Sequence, residues 1–281
     1  MNFDRAKIES AFDKIILFSL YGIAYFLPIS KAIIEILSTL AIVCFIVKKT
    51  IQRQFIPKKP LNLAVFSYLI ICFLSIFISS NFKVSSRTFV GKTLQEVLFF
   101  FVIIDVLNTE KRIKNFIYIL LASSTLLGID GIYQYFNHKD FIRHRPFLEF
   151  PRIYATFPTP NDFGCYLVSV IPFALICFFA KARYKLFRFF SLGLFLLLFT
   201  CILLTVSRGA WIAFLIAMLF MSIWIRVLSV FFLAVGIFIA TTHQFYFPVL
   251  KNRLSNFFIF SDSIDYDRRA IWQAAWKMFM S

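Results

Sequence analysis

The sequence predicts an all-α polytopic membrane protein with about nine transmembrane helices. Apolar residues make up 60% of its 281 residues, and phenylalanine alone occurs 40 times. The mean hydropathy is +0.80. Apolar runs of about 17 to 25 residues recur along the chain, and each can cross the hydrocarbon core of a bilayer. Because these runs are continuous and do not alternate with polar residues, they exclude a transmembrane β-barrel.

Nine apolar runs give the predicted spans in chain order, each bounded by polar, basic or proline-containing residues. Only the sequence "PIS" separates the first two, and Pro28 ends the first of them. Pro172 lies inside the sixth run and is expected to kink that helix. The predicted spans are residues 15–28, 31–47, 61–79, 89–107, 113–133, 161–180, 186–206, 209–225 and 227–243.

Basic residues in the loops predict the orientation of these spans. Lysine and arginine accumulate on the cytoplasmic side of membrane proteins, and the basic loops place the N-terminus on that side. The basic residues of the predicted cytoplasmic loops are Lys48, Lys49, Arg53, Lys58, Lys59, Lys111, Arg112, Lys114, Lys181, Arg183, Lys185 and Arg188. The short outer connections contain only Lys31, Lys83 and Arg87. The net charge of +16 is therefore mainly a topology signal, and no nucleic-acid partner is expected.

Two longer outer segments, residues 134–160 and 244–281, are also basic. Either positive charge serves a purpose on the outer face, or segments of this length escape a rule that counts residues near the span ends. We therefore divide the chain into an N-terminal group of spans, 1–133, and a region that carries the candidate sites, 134–281.

The cysteines and histidines predict neither a disulfide framework nor a metal site, and no cofactor is expected. All five cysteines lie in apolar runs without a CxxC pair, where they act as small packing residues. They are Cys44, Cys72, Cys165, Cys177 and Cys201. The histidines lack the spacing of zinc ligands and are His138, His144 and His243.

The first candidate site is the polar segment "EFPRIYATFPTPND", which precedes the sixth span. Its prolines hold the chain extended, because proline disfavours helix in the residue before it. Asn161 is the expected N-cap of the span, and Asp162 complements the positive helix terminus. A well-specified helix start explains these residues, but it does not explain Arg152 in the same segment.

The second candidate site is Arg208, which lies between two long apolar runs in "LLTVSRGAWIAFL". An arginine in the membrane costs a few kcal/mol or more and is a functional candidate for that reason. The alternative is a tight hairpin on the outer surface from which Arg208 reaches the headgroups.

The third candidate site is "DSIDYDRRAIWQAAWKMFM", with Arg268 and Arg269 near its start. Apolar residues recur there at helical spacing, which predicts a short amphipathic helix at the interface, in contact with membrane lipid. The alternative is ordinary interfacial anchoring by the tryptophans. The apolar stripe consists of Trp272, Ala275, Trp276 and Phe279.

Three stretches of the second half of the chain resemble the O-antigen ligase and polymerase superfamily of bacterial envelope glycan enzymes. These stretches are "PRIYATFPTPNDFGCYLVSVIP", "TVSRGAWIAFL" and "RLSNFF…DRRAIWQAAW", in the order and hydrophobic spacing of that family. The resemblance implies a glycosyltransferase-C-like membrane fold. It also implies transfer of a glycan from undecaprenyl pyrophosphate to lipid A core or to a growing polysaccharide. The reaction would take place on the periplasmic face of the inner membrane, as in lipopolysaccharide biosynthesis, and would need no metal.

The resemblance also implies roles for individual residues. Arg208 matches the arginine of a Ser-Arg-Gly motif, and Arg268 matches an arginine four residues before a tryptophan. These two are the implied catalytic residues, since a guanidinium fork fits the oxygens of a departing pyrophosphate. Arg152, Arg269 and Asn161 are the implied substrate-binding residues.

One position in the first motif departs from the family. Ala155 stands where the family has glycine before Thr156 and Phe157. Because alanine tolerates fewer backbone conformations than glycine, this departure predicts a less permissive loop.

The family continues beyond the point where this chain stops. Its members carry a histidine later in the outer loop, thought to activate the acceptor hydroxyl, and then further spans. None of the histidines of this chain stands at that place, so the resemblance implies a chain truncated within the loop at Ser281. A catalytically silent fragment is therefore one alternative function.

A lipid-linked glycan flippase or transporter is the other alternative. A transporter needs charged residues deep in several spans along a path. Because Lys92 and Glu96 are four residues apart on one predicted helix, an internal ion pair is the simpler explanation for them. The candidates for such a path are Lys92, Glu96, Asp105 and Asp130.

Overall fold

The computed structural model describes residues 2–52, 62–144, 146, 152–179, 185–225, 236 and 263–280. Side chains are described over these ranges except at 2–6, 185, 224–225 and 263–269. Every regular element in this part of the chain is helical, and an isolated bridge joins Lys139 to Pro146. The predicted all-α class is therefore confirmed. The chain forms two compact units, Met1–Ala210 and Trp211–Ser281, which are described separately.

The helices follow the predicted apolar runs closely, although α1 begins 13 residues before the predicted start at residue 15. A π-helical turn, Phe89–Thr93, connects α4 to α5 without a break. The helices of the described residues are α1 (Asn2–Phe26), α2 (Lys31–Gln52), α3 (Asn62–Ile78), α4 (Phe82–Thr88), α5 (Leu94–Val106), α6 (Glu110–Asn137), α7 (Pro160–Phe179), α8 (Lys185–Leu204), α9 (Arg208–Ile225) and α10 (Ser263–Met280).

Three helices in the described part of the chain are long and apolar enough to cross a membrane. They are α6, α7 and the Leu186–Leu204 part of α8. The apolar helix α3 and the Arg208–Ile223 part of α9 are shorter. These three helices support the membrane class, whereas the count of nine spans stays a prediction. The ninth predicted span, 227–243, lies outside the described residues.

The core of the N-terminal half is formed by α1, α2 and α5. Ile16 and Leu20 of α1 are fully buried, together with Ala41 of α2 and Val102 of α5. Gly22 permits the close approach of α1 and α2, because a Cβ atom there would lie 2.7 Å from Leu37 Cδ1. This packing fixes the frame on which the remaining helices rest.

A buried ion-pair cluster joins α1, α2, α5 and α6 at one end of the unit Met1–Ala210. Lys48 Nζ donates to Asp13 Oδ1 at 2.5 Å and to Asp105 Oδ2 at 2.7 Å. Lys49 Nζ donates to Asp105 Oδ1 at 2.5 Å, and Arg112 Nη2 lies 3.7 Å from Asp13 Oδ2. The lysine side chains are 8% and 9% exposed. Asp105 is thus neutralised at the predicted cytoplasmic end, where it has a structural role.

The predicted ion pair between Lys92 and Glu96 is wrong. No contact within 4.0 Å joins them among the described ion pairs, and both side chains are exposed. The physical reason is the π-helical turn that contains Lys92. Lys92 lies in this turn and Glu96 lies in the α-helix after it, so the two do not have the regular i, i+4 geometry of one continuous α-helix.

Candidate functional site

The candidate site lies in the unit Met1–Ala210, at the end away from the Lys48–Asp105 cluster, where three connections between helices meet. They are the α1–α2 turn (27–30), the segment before α7 (152–159), and the α8–α9 turn (205–207). The Thr156 hydroxyl donates to the Pro28 carbonyl oxygen. The Ile153 N–H donates to the Leu204 carbonyl oxygen at 3.1 Å. The segment before α7 contains Arg152, and the α8–α9 turn directly precedes Arg208.

Asn161 links the two arginine-bearing connections. Arg152 Nη2 donates to Asn161 Oδ1 at 3.2 Å, and Ser207 Oγ donates to the same oxygen at 2.9 Å. Arg152 Nε also donates to the Thr205 carbonyl oxygen at 3.3 Å. The network contains two of the predicted site residues, Arg152 and Asn161, and the third, Arg208, directly follows Ser207 in the chain. We call Arg152, Asn161, Ser207 and Arg208 the arginine site.

The predicted role of Asn161 as an N-cap is wrong. Thr159 is the cap, because its Oγ1 accepts the Asp162 N–H at 3.2 Å and its hydroxyl donates to Asp162 Oδ2 at 2.8 Å. Pro160 takes the first helical position, where its fixed φ and missing N–H suit the helix start. Asn161 therefore lies one residue inside α7, and its side chain accepts from Arg152 and Ser207. The expected place of Asp162 in the first turn is confirmed.

Two residues next to the arginine site have left-handed backbone conformations. Ala155 and Val206 each have φ of 48°. Such conformations cost about 1–3 kcal/mol each for residues other than glycine, and a β-branched residue such as Val206 adopts them rarely. Both residues are buried, so the surrounding packing holds them in place. Ala155 occupies the position where the resembling family has glycine, which adopts this conformation without strain.

Gln134 of α6 holds the segment that carries Arg152. Its Oε1 accepts the N–H groups of Tyr154 at 2.9 Å and Ala155 at 2.8 Å, and its side chain is fully buried. Gln134 was not predicted as a site residue, because it directly follows the predicted span 113–133, where an exposed polar residue is expected; α6 continues to Asn137 and buries it.

Asp130, one turn before Gln134, has a similar role. Its Oδ1 accepts the N–H groups of Phe141 at 2.6 Å and Ile142 at 3.2 Å. In the described part of the chain, Asp130 Oδ2 and Gln134 Nε2 are buried without a hydrogen-bond partner. The side chain that was a candidate for a transport path therefore organises the loop that follows α6.

Gly164 permits the close contact between α7 and the start of α9. A Cβ atom at Gly164 would lie 2.6 Å from Ala210 Cβ, 3.6 Å from Ser207 Cβ and 3.7 Å from Thr205 Oγ1. The turn before Arg208 therefore packs directly on the α7 backbone. Arg208 is the first residue of α9, so its backbone lies at the N-terminus of that helix.

Arg268 and Arg269 belong to α10 in the second unit, and their side chains lie outside the described residues. The predicted helix over this stretch is confirmed. All described side chains of α10 are exposed, including Trp272 at 79% and Trp276 at 64%.

No family model, no curated protein and no solved structure matches this chain. Within the residues that the structure describes, no three His, Cys, Asp or Glu side chains cluster as metal ligands would. A function is therefore inferred from the residues themselves and from their geometry.

Proposed function

We propose that this protein is a glycosyltransferase of the O-antigen ligase or polymerase type. It acts at the periplasmic face of a bacterial inner membrane, which it crosses several times. It moves a glycan from undecaprenyl pyrophosphate to lipid A core or to a growing polysaccharide. The observation that carries the proposal is the shared hydrogen bonding of Arg152 and Ser207 to Asn161, which gathers the Arg152 and Arg208 segments at one end of the helical unit.

The chemistry of glycosyl transfer from a pyrophosphate needs cationic donors at the leaving group. The acceptor hydroxyl attacks the anomeric carbon and a new C–O bond forms there. The C–O bond to the pyrophosphate breaks, and its electron pair leaves with the phosphate oxygen. Arg208, the first-turn N–H groups of α9 and Arg152 supply donors for that charge. Asn161 orients Arg152 through its side-chain carbonyl oxygen.

The proton of the acceptor hydroxyl requires a base. The resemblance assigns it to a histidine, and we assign this role to no residue of the present chain. The proposal rests on Arg152 and Arg208, while Arg268 and Arg269 stay predicted ligands.

The position of the charged groups favours a transferase over a transporter. A transporter binds its cargo near the midplane and releases it on either side. Here Asp105 binds two lysines at one end, and Asp130 binds loop amides. The arginine site lies at the end opposite the Lys48–Asp105 cluster, as an outer-face site would.

Binding of a prenyl pyrophosphate to the purified chain tests the proposal without requiring the general base. We expect Arg152→Lys and Arg208→Lys each to weaken binding of geranylgeranyl pyrophosphate about tenfold, because a point charge cannot grip two phosphate oxygens as the fork does. Arg188→Lys is the matched control. Arg188 donates to the Phe178 carbonyl oxygen at 3.2 Å near the predicted cytoplasmic end, so we expect no change. If all three variants bind geranylgeranyl pyrophosphate as tightly as the wild-type chain does, the proposed donor site is wrong.

A further inference from the structure

The hairpin formed by α3 and the continuous α4–α5 segment exposes an apolar face. Most large side chains of α3 are exposed: Leu63 is 78% exposed, Phe77 is 64% exposed and Ile78 is 87% exposed. An open groove of about 300 Å³ runs along this face. It is lined by Ala64, Val65, Tyr68, Glu96, Val97 and Phe100.

Two ionisable side chains lie on this hairpin inside the predicted span 89–107. Glu96 is ten residues before Val106, about 15 Å along the helix. Lys92 is eleven residues after Asn81, about 16 Å along the helix. The C-terminal end of α5 lies at the predicted cytoplasmic side, because Asp105 belongs to the buried ion-pair cluster there. The predicted span 89–107 therefore places both groups within the hydrocarbon core, Lys92 three residues and Glu96 seven residues from its outer end.

An exposed charge at this depth is costly, and ionisable side chains in membrane helices pair with one another or face a protein interior. Lys92 and Glu96 form no ion pair with each other or with another described residue. Next to them, Gly91 is exposed, and a Cβ atom there would meet nothing within 4 Å. Small residues of this kind let a second helix approach closely in membranes.

We propose that this hairpin face is the interface between two copies of the chain, with Lys92 of each copy paired to Glu96 of the other. The dyad carries one positive and one negative charge, so it is complementary to itself. Two copies inserted in the same orientation are related by a two-fold axis along the membrane normal, and residue contacts across it are reciprocal. Lys92 and Glu96 differ in depth by only about 6 Å, which the lysine side chain can reach. The apolar side chains around the dyad would be covered by the same contact.

The test exploits this charge complementarity. Two differently tagged copies of the full chain are co-expressed, solubilised in mild detergent, and the capture of one by the other is measured. We expect the wild-type chain to capture itself, and Lys92→Glu or Glu96→Lys each to lower self-capture about tenfold. The Lys92→Glu chain and the Glu96→Lys chain should then capture each other at the wild-type level, because each presents the charges that the other lacks. An ion pair within one chain cannot produce this selectivity.

A matched control uses Glu110 and Lys114, an exposed pair at 2.9 Å near the start of α6. Lys114→Glu and Glu110→Lys should leave self-capture unchanged and show no mutual preference. Gly91→Leu should also lower self-capture, whereas Gly193→Leu, at an equally open glycine of α8, should not.

Three results would overturn the proposal. One is a wild-type chain that does not capture itself, as expected if another segment or another protein covers this face. The second is self-capture that the charge changes leave intact. The third is a mixture of the two charge variants that associates no better than either variant alone. Lys92→Gln and Glu96→Gln replace the charge variants if those fail to insert, and each should lower self-capture.

Discussion

Gly164→Ala is the most direct perturbation of the arginine site, because it adds one methyl group at the closest contact between α7 and α9. The added Cβ would lie 2.6 Å from Ala210 Cβ. Carbon atoms in contact prefer about 3.5–4.0 Å, so the two backbones must separate by about 1 Å. Neither atom belongs to a flexible side chain that could rotate away. Overpacking of this kind costs about 1–3 kcal/mol.

Thermal unfolding in detergent measures this cost. We expect the apparent Tm of Gly164→Ala to fall by about 2–4 °C for each kcal/mol. The displacement also moves the turn that carries Arg208, so prenyl pyrophosphate binding should weaken, since misplacement by about 1 Å is expensive in preorganised sites. Ala210→Gly removes the opposing methyl group, and the double variant should recover both stability and binding.

Gly193→Ala is the matched control for this experiment. It also adds a methyl group to a glycine in an apolar helix, but nothing lies within 4 Å of the new atom. It should leave the Tm unchanged or raise it, because alanine favours helix over glycine by about 1 kcal/mol. The reasoning is refuted if Gly164→Ala behaves like Gly193→Ala, or if Ala210→Gly gives no rescue.

The remaining predictions concern the supports of the site and its orientation. Gln134→Leu should cost about 1–3 kcal/mol for each backbone N–H left unpaired, with faster hydrogen exchange over residues 152–157, whereas Gln134→Glu keeps the acceptor and should restore protection. Lys48→Met should lower stability by about 1–3 kcal/mol, because it removes the cation that Asp13 and Asp105 share and leaves each carboxylate with one weaker set of contacts; adding Asp105→Asn should recover part of that loss, and no recovery would contradict the cluster. Alkaline phosphatase fused after His138 should be active and the same fusion after Gln52 inactive; the reverse pattern would overturn the predicted orientation.

Local composition alone determined the class of this protein and the positions of its helices. An apolar run of membrane length has few stable alternatives to a helix, because every backbone N–H and C=O must be satisfied within the segment. The run that became α7 was therefore found within one residue at each end. The cost of an arginine between apolar runs identified Arg208 by the same local reasoning, whereas Arg152 was singled out because the helix start did not explain it.

The roles of the polar side chains were decided only by the tertiary structure. Asn161 was expected to cap its own helix, yet it accepts from residues 9 positions before it and 46 positions after it. Gln134 was not singled out, because its two partners lie 20 and 21 residues away. A polar group in an apolar run signals that a partner must exist, but the identity of that partner depends on how distant segments pack. Spacing was likewise insufficient for Lys92 and Glu96, which form none of the described ion pairs although their separation in the sequence predicted one.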